Sequence, residues 1–234
     1  SLTGFELMSG LSFSLPIKNL QNIINPFESN YDWLALVELT SSETGAHLRN
    51  IIEDTLSKAI DDNLILNAVL AENEKQRGSF WKIRETIPEA QVVEGASIKN
   101  DITIPVSRVP EFLEKADKAV SKIVNGVRPV SFGHIGDGNI HYNLSQPHGG
   151  DAKAFLNEWH NITNAVNEIV YELGGSFSAE HGIGKLKRRE LVRYRPSTEI
   201  SIMRDIKKTL DPNNIMNPGK IFEVSMFDTN STNI

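Results

Sequence analysis

Apolar and polar positions follow two alternating periods along this chain. The run DWLALVEL (32–39) is short and apolar, as a buried strand would be, and in SSETGAHLRNIIEDTLSKAI after it Leu48, Ile51, Ile52, Leu56 and Ala59 recur at helical spacing. Ser41 or Ser42 offers a capping hydroxyl to that helix. LILNAVL (64–70) reads as the next strand and EKQRGSFWKIRETI (74–87) as the next helix, closed by Pro88, whose ring and missing N–H break the ladder. A second round opens at NDITIP (100–105), where Ile102 and Ile104 alternate with polar neighbours. SRVPEFLEKADKAVSKIV then sets Val109, Phe112, Leu113, Ala116, Val120 and Ile123 on one helical face, with Pro110 tolerated in the first turn. Two strands, RPVSFGHI and NIHYNLS, flank a tight turn. The clearest helix follows, Phe155, Trp159, Ile162, Val166, Ile169 and Leu173 stepping from an Asp151 cap to Gly174-Gly175. Strand-helix-strand order occurring twice, with a hairpin, predicts an α+β sandwich, an antiparallel sheet with helices on one face. The final DTNSTNI reads as a frayed tail.

Composition narrows the class. A chain of 234 residues can bury a core, and no run approaches the roughly 18 apolar residues of a membrane span, so no transmembrane segment is expected. A net charge of −6 argues against a nucleic-acid partner. KLKRRELVRYR (185–195) is the local exception, a solvated helix face or else a funnel for an anion or a docking patch. With no cysteine, disulfides and thiolate metal sites are excluded, and any metal must use His, Asp, Glu or Asn. The opening SLTGFELMSG has neither an initiator Met nor a signal-type segment, which suggests more chain upstream. The triplets at Asn143, Asn161 and Asn230 that fit a glycosylation pattern are taken as chance.

Two of the six histidines flank the turn in SFGHIGDGNIHYNLS (131–145). Asp137-Gly138 is a strong signal for a two-residue hairpin loop, which would pair Gly136 with Asn139, Ile135 with Ile140, and His134 with His141. Opposed residues carry Cβ atoms about 4.5–5.5 Å apart, so two imidazoles could share an ion at about 2.1 Å. Asn143 points to the same face and Tyr142 away. Two imidazoles are too few for a metal site, and a hydrogen-bonded pair at a wet sheet edge remains open. A third ligand is sought in SFSAEHGIGKLKRREL (176–191), where a strand-like SFS leads to Glu180 and His181 before Gly182 and Gly184. Alone, Glu180 would read as the partner of a nearby lysine and His181 as a surface residue. GIGK lacks the spacing of a phosphate loop, and no G-x-G-x-x-G occurs.

Taken together and in this order, SFGHIGDGNIHYNL, SAEHGIGKLKR and LDPNNIMNPGKIF resemble the C-terminal domain of FAD-linked oxidases of the vanillyl-alcohol oxidase superfamily, on the branch of D-lactate, D-2-hydroxyglutarate and glycolate-oxidase-subunit types. The resemblance covers roughly residues 5–223. It implies a duplicated ferredoxin-like α+β domain, with halves near 1–98 and 99–223 and a tail 224–234, capping an FAD-binding domain absent from this chain. It further implies that His134, His141 and Glu180 ligate zinc or manganese, that Asn143 lies beside the substrate and that His181 is the general base. By the same resemblance Arg84 in WKIRETIPEA and Lys99 in SIKNDITIP grip a substrate carboxylate, while Asn217 and Lys220 in NPGK return towards the flavin. Pro88 departs from the pattern of 2-hydroxyglutarate enzymes, which carry a hydroxyl residue four positions after that arginine. The expected function is metal and substrate binding in a flavin-dependent D-2-hydroxyacid dehydrogenase, inactive as an isolated domain, cytoplasmic or in the mitochondrial matrix. The expected partners are the 2-hydroxy acid and the flavin-binding domain, with room for a homodimer. A metal-dependent hydrolase and a non-catalytic docking module are the alternatives.

Overall fold

The computed structural model describes residues 1–42 and 47–223. Its elements are β1 (Leu2–Ser9), α1 (Gly10–Asn19), β2 (Trp33–Leu39), α2 (His47–Asp61), α3 (Glu74–Glu85), α4 (Ile87–Val93), β3 (Ser97–Ile98), β4 (Asp101–Thr103), α5 (Val109–Ile123), β5 (Arg128–His134), β6 (Asn139–Ser145), α6 (Ala152–Asn157), α7 (Trp159–Glu172), α8 (Arg188–Tyr194) and α9 (Ser197–Leu210). The strands form one six-stranded sheet in the order β2-β1-β5-β6-β3, with β4 also on β6, and every pairing is antiparallel. The α+β class expected from the element order is what the chain forms.

Register divides the core in two. Phe132 pairs with His141 and Gly133 with Ile140, so Ile140, Tyr142 and Leu144 leave one face of β6 while His141 and Asn143 leave the other. On the first face Ile98, Ile102, Ile140, Tyr142 and Leu144 pack against the buried stripes of α5 (Val109, Phe112, Ala116, Val120) and α7 (Ile162, Val166, Val170). On the second, Met8, Val130 and Phe132 are roofed by Phe13 and Leu15 of α1, Ile83 of α3 and Ile87 of α4. Helices therefore lie on both faces, where the pattern alone suggested one. The reason is local: β1 puts Met8 into one cluster and Leu7 against the other, so each face has an apolar surface to cover. That same double burial removes the period-2 contrast, and β1 and α1 escaped the sequence pattern. Ser9 caps α1 by accepting the Ser12 N–H at 3.2 Å.

Other expectations are corrected. Segment 64–70 is not a strand: no ladder forms along it, the Leu64 N–H bonds back to the Ala59 carbonyl at 2.8 Å, and Leu64 and Leu66 are 76% and 82% exposed. Segment 32–39 is β2, an edge strand with Trp33 and Val37 exposed rather than buried. The helix from Glu74 ends at Glu85, short of Pro88, and Pro88 then occupies the first turn of a further helix, α4, where its missing N–H costs nothing. The 151–173 helix is broken at Glu158, whose N–H bonds the Phe155 carbonyl at 3.1 Å, before α7 restarts. The Asp151 cap itself holds, accepting from the Lys153 N–H at 2.8 Å. The SFS segment makes a single bridge, Ser176 to Thr103. The stretch joining Ser42 to α2, on which the cap expected from Ser41 or Ser42 depends, lies outside the described residues. Helix α9, also absent from the pattern, sends Ile200 into a small third cluster with Phe177, Leu191, Tyr194 and Phe222.

Candidate metal centre

The loop between β5 and β6 spans the four residues 135–138, not two: His134 pairs with Asn139, and Phe132 with His141. The directly opposed histidine pair does not form. The register differs by two residues, and a slip of two, unlike a slip of one, keeps every side chain on its face. The imidazoles thus stand diagonally on one face with ring centroids 6.2 Å apart. Contacts to β4 set the loop length. Gly138, at φ +75°, accepts the Ile104 N–H at 2.9 Å, and a Cβ there would lie 1.8 Å from the Ile104 carbonyl oxygen. The Thr103 hydroxyl donates to the Asp137 carbonyl at 3.2 Å, and the Asp137 side chain accepts its own local bond from the Asn139 N–H at 3.0 Å.

Glu180 reaches this pair through an anchor on β4. The buried Asp101 carboxylate accepts the backbone N–H groups of Glu180 (2.8 Å) and His181 (2.9 Å) on one oxygen and the Asn139 side-chain amide (3.0 Å) on the other. Burial alone would push Asp101 up; these donors, the His181 N–H foremost, hold it below the ordinary carboxylate value. The Lys187 ammonium, pushed down by burial, donates to the Phe177 carbonyl at 2.8 Å and ties off the same turn. The Glu180 carboxylate consequently lies 3.3 Å from His134 Nε2 and 3.6 Å from His141 Nε2, and the three ligand atoms fall within 4.8 Å of one another. Donors about 2.1 Å from a tetrahedral ion sit about 3.4 Å apart, so the cluster fits a divalent ion with an open position.

Carboxylates behind the imidazoles complete the arrangement. Glu6 on β1, buried, takes the Nδ1 side of His134 at 2.6 Å, which leaves Nε2 facing Glu180. Asp101 lies 3.8 Å from His141 Nδ1. Burial pushes His141 down, opposed by Asp101 and Glu180 and reinforced by Arg84 and His134. Sequence reasoning missed Glu6 and Asp101. The available signals were an acid inside an apolar run, FELM, and an acid whose spacing from Ile102 and Ile104 places it on the face opposite the core.

The other expected residues land unequally. Arg84 is buried, donates through Nε to Glu6 at 2.8 Å and lies 4.8 Å over the Phe132 ring. Lys99 is exposed; the common register of β3 and β4 on β6 sets it opposite Asn143, on the His141 face. Asn143 is buried and donates to Gln91 Oε1 at 3.1 Å, while Gln91 Nε2 donates to Ser145 at 3.0 Å. His181 has a side chain 63% exposed, Nδ1 3.7 Å from Asp101 and a ring 6.1 Å from that of His141, nearly parallel. Asn217 and Lys220 are exposed in a loop tied to the 184–188 segment by Ile221 N–H to Gly184 (2.8 Å) and Arg188 to Gly219 (3.1 Å); among the described residues no hydrogen bond or ion pair joins them to the three ligands. The basic run forms α8, where Arg193 pairs with Glu168 and Arg188 lies 3.7 Å from Glu223. No described helix is long and apolar enough to cross a membrane.

The chain is 35% identical over 221 residues to a D-2-hydroxyglutarate dehydrogenase from Stutzerimonas stutzeri, covering 94% of this chain and 47% of that protein. It is 33% identical over 226 residues to the mitochondrial D-2-hydroxyglutarate dehydrogenase of Arabidopsis thaliana, covering 97% of this chain and 39% of the relative. With the mitochondrial enzyme of Rattus norvegicus the identity is 30% over 223 residues, again 39% of the relative. The chain thus spans about half or less of the length of these relatives. Residues 1–221 match the family described as FAD linked oxidases, C-terminal domain, and with nearly the whole chain matched this protein belongs to that family.

Proposed function

We propose that this chain is the substrate- and metal-binding domain of a flavin-dependent dehydrogenase that oxidises a D-2-hydroxy acid to the 2-oxo acid. The observation that carries this is the convergence of His134, His141 and Glu180, with ligand atoms within 4.8 Å, beside a buried arginine on the same sheet face. The names of the relatives support the substrate class. His134, His141 and Glu180 are the ligands of a divalent ion, zinc or manganese, which when bound acts as a Lewis acid favouring the alkoxide of the substrate hydroxyl. FAD would be held mainly by a domain outside this chain, with Asn217 and Lys220 the residues here that would face it, and would supply the electron sink. Within the chain we assign two ferredoxin-like halves, near 1–98 and 99–223.

The chain's own residues bind and orient. Arg84 commits Nε to Glu6 and turns its two terminal nitrogens to the substrate carboxylate, a two-pronged grip, while Lys99 adds a point charge. Asn143, fixed by Gln91, lines the substrate position. His181 takes the hydroxyl proton at Nε2, since its Nδ1 side faces Asp101. Pro88, which has no hydroxyl, stands where 2-hydroxyglutarate enzymes carry a hydroxyl residue, so the acids tested should include D-lactate as well as D-2-hydroxyglutarate. A hydrolase would use the same donor set, but family membership favours the redox reaction. The full-length protein containing this chain is expected in the cytoplasm, or in the mitochondrial matrix of a eukaryote.

The test uses that full-length protein. Wild type is expected to hold one divalent ion per chain and to bleach its flavin on addition of a D-2-hydroxy acid; His134→Ala is expected to lose the ion and to slow bleaching by orders of magnitude. Retention of one ion per chain in His134→Ala would refute the ligand assignment.

A further inference from the structure

Glu6 meets both halves of the site at once. Its side chain is only 6% exposed, one oxygen lies 2.6 Å from His134 Nδ1 and the other 2.8 Å from Arg84 Nε. β1 runs between β2 and β5, and Glu6 pairs directly with His134 across the β1–β5 ladder. The carboxylate is therefore aimed by backbone bonded on both sides rather than by a loop. Arg84 is pinned from below by the Phe132 ring.

Resting on the function assigned above, we propose that Glu6 is a positioning residue that locks the metal ligand His134 and the carboxylate grip Arg84 into one frame. The chemistry requires a carboxylate. Two donors, a half-exposed imidazole N–H and a buried guanidinium N–H, approach one side chain from different directions, and a carboxylate supplies two acceptor oxygens. Holding the Nδ1 proton of His134 leaves the Nε2 lone pair towards Glu180; holding Nε of Arg84 leaves its terminal nitrogens for the substrate. Glutamine has the same length but one acceptor oxygen. With His134 in the Nδ1–H tautomer it can satisfy His134 or Arg84, not both; satisfying both with its NH2 donating to Nδ1 forces the Nε2–H tautomer, which takes the Nε2 lone pair away from the metal position. A pair buried only for stability would not link metal affinity to anion affinity; this one does.

The experiment compares wild type, Glu6→Gln and, as a control, His134→Ala in the full-length protein. Zinc alone is titrated against a chromophoric chelator, then 2-oxoglutarate, which cannot be oxidised further, is titrated into zinc-saturated protein. Glu6→Gln is expected to weaken zinc about 10- to 100-fold and 2-oxoglutarate about tenfold, and nitrogen NMR of metal-free protein should move His134 from the Nδ1–H tautomer to a mixture. If Glu6→Gln fails to fold, Glu6→Asp, which keeps both acceptors but withdraws them by one methylene, is expected to weaken both ligands. A fall in only one affinity overturns the shared frame, as does a lowered unfolding midpoint with both affinities intact. Wild type that binds no zinc overturns the functional assignment and this proposal with it; wild type that binds zinc, loses it in His134→Ala and is indifferent to Glu6→Gln overturns this proposal alone.

Discussion

Asp101→Asn probes how Glu180 is held at the proposed metal site. The carboxylate receives three hydrogen bonds, two on Oδ2 from the backbone of Glu180 and His181 and one on Oδ1 from Asn139. Asparagine matches the shape but has a single acceptor oxygen. If that oxygen turns to the two backbone N–H groups, its amide confronts the Asn139 amide, which keeps only its bond to the Ile102 carbonyl at 2.9 Å. Bonds to a charged acceptor are worth about 1.5–3 kcal/mol and a buried unsatisfied donor costs about 1–3 kcal/mol. Two weakened bonds and one lost bond therefore sum to about 2–4 kcal/mol. In a chain of this length each kcal/mol lowers Tm by about 2–4 °C, so a fall of roughly 5–15 °C is expected. Urea unfolding followed by tryptophan fluorescence at neutral pH reads the stability. A zinc titration reads the site, where the loosened Glu180 should cost about tenfold or more in affinity. If Asp101→Asn stays within about 0.5 kcal/mol of wild type and binds zinc equally well, Asp101 does not hold the 176–181 segment and the account of the centre is wrong.

Two further expectations concern the frame around the site. Glu94, at the end of α4, accepts from Lys18 (2.8 Å), Arg128 (2.6 Å) and Asn19 (2.8 Å), which hold it down from 4.5 to about 2, Lys18 contributing most. An acid with a depressed folded-state value stabilises above its ordinary value and loses that contribution as pH falls through the depressed one. Since Lys18 is 62% exposed and screened by water, Glu94→Gln is expected to cost about 2 kcal/mol at neutral pH, the gap to wild type closing between pH 4.5 and about 2; a constant gap in urea midpoints across that window would exclude ionisation as the cause. Gly138→Ala is expected to cost at least about 3 kcal/mol and about tenfold or more in zinc affinity, because its Cβ would overlap the Ile104 carbonyl at 1.8 Å and shift the hairpin that carries both histidines. Gly136→Ala, with nothing within 4 Å, is the matched control expected within about 0.5 kcal/mol, and equal effects at the two glycines in thermal unfolding would contradict the docked turn.

What the sequence determined by itself was face and chemistry. The apolar stripe of α5, buried as expected at Val109, Phe112, Leu113, Ala116 and Val120, is a local periodicity written in a few turns of chain. His134 and His141 share a face because side chains alternate along a strand, and that parity survives a two-residue error in register. The absence of cysteine left histidine and carboxylate as the metal donors.

Tertiary structure decided the rest, because the deciding contacts join residues far apart in sequence. Loop length in the hairpin follows from Gly138 docking on Ile104, not from the preference of Asp-Gly for a tight turn. Segment 64–70 has strand composition and no partner strand, and composition cannot supply a ladder. Glu6 lies 128 positions from His134 and Asp101 lies 79 from Glu180, so neither pair leaves a periodic trace. Only the strand order, which seats β1 beside β5 and β4 beside β6, brings those carboxylates behind the two histidines.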